Sequence, residues 1–337
     1  VNYLSTPIPT ARRIYQKSLL GTDNENRTHT IYGDTIDVSS GQLGFVIENY
    51  YRELDGFKEI DLQDDSQNTN DTGFRKHDSM VKFAFEPSTN LAQRVEFKVG
   101  YLDKKANETY LGLTDEDFEL NPYRRYSASR FDNIKTNHLR SYLRYTVAPS
   151  SNFNVSIAGY YNEFHRNWFK FRGSGEDLLN PEKLAVWKGD AAGTLKYRNN
   201  NRDYLLGGLQ SNGNFRVATG GVEHEFDLGI RYHFDEVRRF QSNVDFEQDE
   251  NGNVIGRMDM GPGSGGNRLQ ETTALAVFLQ DRIEFGSLKM TPGIRFEHVR
   301  YGFTDFDKAG EPDKIVREGE STMSLLAPGL GLNFAMN

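Results

Sequence analysis

Apolar and polar residues alternate along most of this chain with a period of two, the period of a β-strand. The clearest stretch runs from Thr272 to Val299. Leu275, Val277, Leu279, Ile283 and Phe285 fall on one side of its first strand, and Ala274, Ala276, Gln280, Arg282 and Glu284 on the other. A tight turn follows. The second strand sets Leu288, Met290, Pro292, Ile294 and Phe296 against Lys289, Thr291, Arg295 and Glu297. The same pattern recurs around Leu43, Val81, Val95, Leu139 and Phe153. It is cleanest at Val222 to Phe234, where Phe226, Leu228, Ile230 and Tyr232 oppose Glu225, Asp227, Arg231 and His233. One apolar face also describes a soluble sheet packed on a core. Here the other face carries full charges, the strands are long and the hairpin repeats, which predicts lipid on one side and water on the other.

The connections alternate in length. Tight turns at Pro87–Asn90, Pro149–Asn152 and Ala218–Gly221 interleave with long polar segments at about 55–76, 103–135, 167–203, 241–270 and 304–322. Outer-membrane barrels combine short turns at one end with long loops at the other, whereas a sandwich or propeller has no reason to do so. The expected fold is therefore all-β: an antiparallel transmembrane β-barrel, partial, of about twelve strands, with short periplasmic turns and long extracellular loops. Residues 1–10, broken by Pro7 and Pro9, read as a connector, and 11–337 as barrel wall. Two membrane-free or passive readings compete: a secreted β-protein binding glycans or partners, which would bury Leu275, Phe226 and Leu330 between two sheets, and a porin-like channel.

Composition narrows the classes. Mean hydropathy is −0.68 with 36% hydrophobic residues, and no run approaches the roughly 20 apolar residues of a helical span. A net charge of −8 argues against nucleic acid, and the absence of cysteine removes disulfides, thiol nucleophiles and thiolate metal sites. No catalytic, cofactor or metal signature stands up. His224-Glu225 lies on a strand without a second zinc-binding His, Gly261–Gly266 lacks the Lys and Ser/Thr of a phosphate loop, and Asp249–Asn253 misses calcium-loop spacing. Asp281 falls on the apolar register near a tight turn, where it reads as a residue of the membrane interface.

Candidate binding chemistry lies in one polar loop, NPYRRYSASR. Arg124, Arg125 and Arg130 sit close together there, and the planar guanidinium fork suits carboxylates. Two plainer roles compete with ligand contact: pairing with Asp115, Glu116, Asp117 and Glu119 to order the loop, or contact with lipopolysaccharide phosphates at the rim.

These residues also carry a resemblance. The opening VNYLSTPIP resembles the last plug strand and exit segment of TonB-dependent outer-membrane receptors. Glu108 to His138, ETYLGLTDEDFELNPYRRYSASRFDNIKTNH, looks like an external-loop segment of the ferric-dicitrate-type siderophore receptors, and the Ala274–Val299 hairpin with LLAPGLGLNFAMN is similar to their mid-barrel strands. The resemblance implies a barrel of about 22 strands around a plug. It also implies a bacterial outer-membrane location among lipid and lipopolysaccharide, and a transported ferric chelate (ferric citrate or siderophore) rather than a cofactor. Uptake would be driven by the TonB complex through the plug. Against that pattern the chain is expected to hold the end of the plug and roughly the first half of the barrel.

Overall fold

The computed structural model describes residues 5–62, 72–107, 109–308 and 310–334. Its strands are β1 (Arg13–Leu20), β2 (Asn26–Val38), β3 (Gly41–Leu54), β4 (Glu59–Ile60), β5 (Phe74–Pro87), β6 (Ala92–Ala106), β7 (Arg124–Arg125) and β8 (Asn133–Ser150). They continue as β9 (Phe153–Phe171), β10 (Gly193–Thr219), β11 (Val222–Gln248), β12 (Val254–Asp259), β13 (Gly266–Phe285), β14 (Leu288–Phe306) and β15 (Ile315–Phe334). Two short helices, α1 (Asp115–Leu120) and α2 (Pro181–Lys188), lie in the long connections. Of the sequence-level features, Val1–Leu4 and Met336 lie outside the described residues.

One antiparallel sheet contains the order β1-β2-β3-β5-β6-β8-β9-β10-β11-β13-β14-β15, so every strand on this path pairs with its sequence neighbours on it. β12 adds to the end of β11, while β4 and β7 form a separate parallel pair. Chain reversal is cheapest at Gly220-Gly221, where φ is +59° and +81°. A two-residue hairpin twisted like its strands needs positive φ at both positions, which glycine supplies without a Cβ clash.

The strands run further than hydrophobic alternation indicates. β9 extends to Phe171, β10 begins at Gly193 and β11 continues to Gln248, so much of 167–203 and 241–270 is ladder rather than loop. The reason is solvation. Between the lipid belt and the covered long-loop end both faces of a strand are wet, and alternation of polarity lapses over stretches such as 198–203 while the backbone pairing persists.

Residues paired across the sheet share a face, so the registers sort the wall into two surfaces. On the apolar one, Leu228, Ile230, Leu275, Phe296 and Leu330 are 54%, 50%, 39%, 41% and 64% exposed. A soluble sandwich would bury these side chains. No second sheet covers them among the described residues, an arrangement that fits a face turned to lipid rather than the interior of a sandwich.

At the long-loop end the same face is covered. Phe171, Leu195, Tyr197, Val244 and Phe246 cluster with Leu111, Tyr126, Ala128 and Trp187 from the connections. At the start of the chain, 5–9 lies on the opposite, polar face. Thr6 Oγ1 donates to Glu48 Oε2 at 2.7 Å, Lys82 Nζ donates to the Thr6 carbonyl at 2.8 Å, and Ile8 packs on the buried trio Ile31, Val46 and Met80.

Candidate functional site

The external connections fold around one carboxylate. Asp117 on α1 accepts from Arg124 Nη1 at 2.9 Å, Lys188 Nζ at 2.8 Å and the Tyr126 hydroxyl at 2.7 Å, and its side chain is 6% exposed. Burial pushes this carboxyl up, but the bonds from Lys188, Tyr126 and Thr114 outweigh it and hold the pKa at about 2. The three sequence-predicted arginines thus occupy different settings. Arg124 also meets Asp61, with Nε and Nη2 at 2.9 and 2.6 Å from Oδ2, and so fastens β7 beside β4. Arg125 Nη1 donates to the carbonyls of Pro122 and Arg124. Arg130 is 5% exposed and donates to the carbonyls of Ser127 and Gly252, both at 2.8 Å. The loop does not converge all three on one open space.

A second basic group, which strand-by-strand reading misses, lies on the polar face. Arg166 of β9 stands directly opposite Arg202 of β10, Arg202 opposite Arg239 of β11, and Arg239 opposite Arg268 of β13. Along the next same-face row but one, Lys170 stands opposite Arg198 and Arg198 opposite Asn243. Asn200 and the fully buried Gln241 fill the row between and hydrogen-bond to each other. Like charges directly opposite on a sheet repel, by an amount comparable to the roughly 0.2–1 kcal/mol an opposite pair contributes.

Among the described residues little offsets this. Arg268 is neutralised by Asp305, with Nη2 to Oδ2 at 2.9 Å, and Asp305 in turn holds Arg317 at 2.8 Å; Arg268 and Arg317, against some burial, hold its carboxyl at about 2. Among the described residues no carboxylate lies within ion-pair distance of Arg166, Arg202 or Arg239, and the Nε of each is buried without a hydrogen-bond partner. Burial, then Arg202 and Arg268, push Arg239 below the ordinary arginine value; burial, then Arg172 and Arg239, do the same to Arg198.

This row stands clear of the lipid. The path from Val222 to Arg239 is roughly 55 Å of strand, whereas an apolar belt about 25 Å tall crossed at a tilt of about 40° uses roughly 33 Å. Phe164, Tyr204 and Phe303, on the next same-face row towards the turns, give it an aromatic floor.

A sequence profile described as TonB dependent receptor-like, beta-barrel matches residues 15–337. The chain belongs to the TonB-dependent receptor β-barrel family. No curated protein sequence matches it. Solved receptor structures do. The ferric citrate transporter FecA in its unliganded form aligns over 99% of this chain and 43% of its own, at 17% identity and a TM-score of 0.68. The siderophore receptor PiuA from Acinetobacter baumannii aligns over 98% and 48% at 14% identity and TM-score 0.71. The ferric-catecholate import receptor Fiu from E. coli K12, open form, aligns over 99% and 53% at 9% identity and TM-score 0.70. This TonB-dependent receptor chain thus spans about half the length of the structures it matches, and at these identities the likeness is one of fold. In such a barrel the apolar face meets lipid and the polar face lines the lumen, which places the arginine row on the inner wall at the external mouth.

Proposed function

We propose that this chain is barrel wall of an outer-membrane receptor that takes up a small ferric chelate, with import coupled to the TonB complex through a plug that packs against the polar face. The observation that carries the reading is the family match across 15–337, joined to a polar face whose external end concentrates cations. The names of the matched structures, a ferric citrate transporter, a siderophore receptor and a ferric-catecholate import receptor, support an iron chelate as the class of cargo. Segment 5–9, seated on the polar face, supports a connection running into the lumen. The receptor performs no covalent chemistry on this reading, and its surroundings are lipid along the apolar face and lipopolysaccharide at the rim.

The test is uptake of radiolabelled iron as citrate, hydroxamate and catecholate chelates by iron-starved cells with and without the receptor gene. At least one chelate should depend on the gene, and a proton ionophore should abolish that uptake. Gene-independent uptake of all three sinks the proposal. Ionophore-insensitive passage of unrelated sugars through reconstituted protein would instead identify a passive channel.

A further inference from the structure

We infer that the cleft between the external cap and the outward face of β6, β8 and β9 takes a phosphorylated glycolipid headgroup of the outer leaflet, and that this headgroup braces the cap against the wall. The inference needs only that the apolar face meets lipid, and it is independent of the cargo.

The cations come from the register. Arg75 of β5 stands directly opposite Lys105 of β6, and Lys105 opposite Lys135 of β8. All three are exposed, and they share the face of Tyr101 and Leu139, the lipid side of the wall. Like charges in direct opposition repel. Among the described residues the same-face acids beside them, Glu53 opposite Arg75 and Asp103 one row nearer the belt, lie outside ion-pair distance of all three.

Depth decides what can neutralise this row. Tyr101 and Leu139 oppose each other on β6 and β8 and still belong to the apolar face, where Tyr101 is 50% exposed. Lys105 and Lys135 lie four residues further out, about 13 Å of tilted strand, and so stand where the headgroups of the outer leaflet begin.

The cleft supplies the remaining surface. Its volume is about 380 Å³, within the roughly 300–1,000 Å³ of small-molecule sites. Lys105, Lys135 and Phe169 line it from the wall, Arg130 and Phe131 from the cap, and Arg257 from β12. The Phe131 and Phe246 rings, 4.6 Å apart, give it an apolar floor that suits the C–H face of a sugar, while the cations around it suit phosphate. A phosphorylated sugar seated there touches wall and cap at once. Beside it Asp132 fastens the cap to β9 by accepting from the Tyr110 and Phe171 amides at 3.1 and 2.6 Å, so occupancy of the cleft should reinforce that junction.

The experiment uses the intact receptor in detergent, as wild type, K105Q/K135Q and K105R/K135R. Bisphosphorylated lipid A, dephosphorylated lipid A, phosphatidylglycerol or inorganic phosphate is added, retained lipid is counted by native mass spectrometry, and amide exchange is followed in 109–113 and 130–134. Wild type should retain bisphosphorylated lipid A roughly 30-fold better than K105Q/K135Q, the loss expected for two cations at an anionic lipid surface, and K105R/K135R should match wild type. Wild type should also prefer the bisphosphorylated form to the dephosphorylated one, and that form should slow exchange in both segments. Equal retention by wild type and the Gln variant, no preference for the phosphorylated form, or phosphatidylglycerol retained as well as lipid A overturns the site. Equal protection by inorganic phosphate alone assigns the cleft to a free anion and overturns the lipid source. Lipid A that binds without slowing exchange overturns the brace. No readout involves iron uptake, so failure of the uptake reading leaves each of these outcomes unchanged.

Discussion

Lys188 and Asp117 meet at 2.8 Å across two separate external connections, one at the end of α2 and the other inside α1. Their contact, with Arg124 on the second carboxylate oxygen and also bound to Asp61, joins the segments around 61, 117–124 and 188 into one cap. Asp117→Ala should therefore loosen all of them together. Removing one partner of a buried ion pair costs about 3–5 kcal/mol, so amide exchange in 111–131 and 181–188 should rise by two orders of magnitude or more while the barrel strands stay protected. Faster exchange in one segment alone would show that the cap is not cooperative.

The same carboxylate sets an acid limit. Its folded pKa, about 2, lies below the ordinary value of 3.8, so its stabilisation is complete above pH 4 and is lost as pH falls from 4 towards 2. Asp132 has the opposite sign. Burial raises it to about 7 although the Phe171 and Tyr110 amides donate to it, so the folded state holds a proton that the unfolded state has released. The contribution of Asp132 to cap stability is full below about pH 4 and declines as pH rises towards 7, at up to about 1.4 kcal/mol per unit. Exchange at the Phe171 amide should quicken over that range after correction for intrinsic rates, and a flat profile would contradict it.

On the lipid side, Ile230→Arg should cost about 2–4 kcal/mol of folding free energy in bilayers, because charge is placed within the apolar belt. Asp281 lies close to a tight turn and hydrogen-bonds His224 at 2.7 Å, so Asp281→Ala should change folding by no more than about 1 kcal/mol. Equal costs at the two positions would mean that the belt has been placed wrongly.

Arg124 and Arg125, adjacent in sequence, should separate on substitution. Arg124→Ala removes two carboxylate partners and should destabilise the cap by about 1–3 kcal/mol. Arg125→Ala removes contacts to carbonyls alone and should stay within about 1 kcal/mol, which makes it the cleaner probe of chelate contact at this loop. Unchanged chelate affinity in Arg125→Ala would leave it a loop residue.

The lipid-crossing half of the wall was legible because a membrane forces apolar and polar residues onto alternate positions, and Phe226, Leu228 and Ile230 display that demand one strand at a time. Above the belt the demand vanishes, so Arg198 and Arg202 fell in a segment read as loop, while Arg239 stood at the end of a strand. Their alignment was nonetheless implicit in the chain. Arg202 and Arg239 lie equally far from the Gly220-Gly221 turn, so any uninterrupted hairpin closing there must set them face to face. Arg166 and Arg268 join the row across the long connections 172–192 and 249–265, whose lengths fix no register by themselves. Asp117 was one of four acids in the α1 segment, and which of them would be buried depends on α2, which the pattern did not reveal.

The 27-residue length of β10 and β11 has a kinetic consequence. Because the arginine row stands on strands continuous with the membrane wall rather than on a hinged loop, its positive potential is fixed in space before any ligand arrives. An approaching anion meets a stationary field at the mouth and need not wait for a loop to gather the charges. Encounter of a small anion with this wall should therefore be salt-sensitive, as in electrostatically steered association.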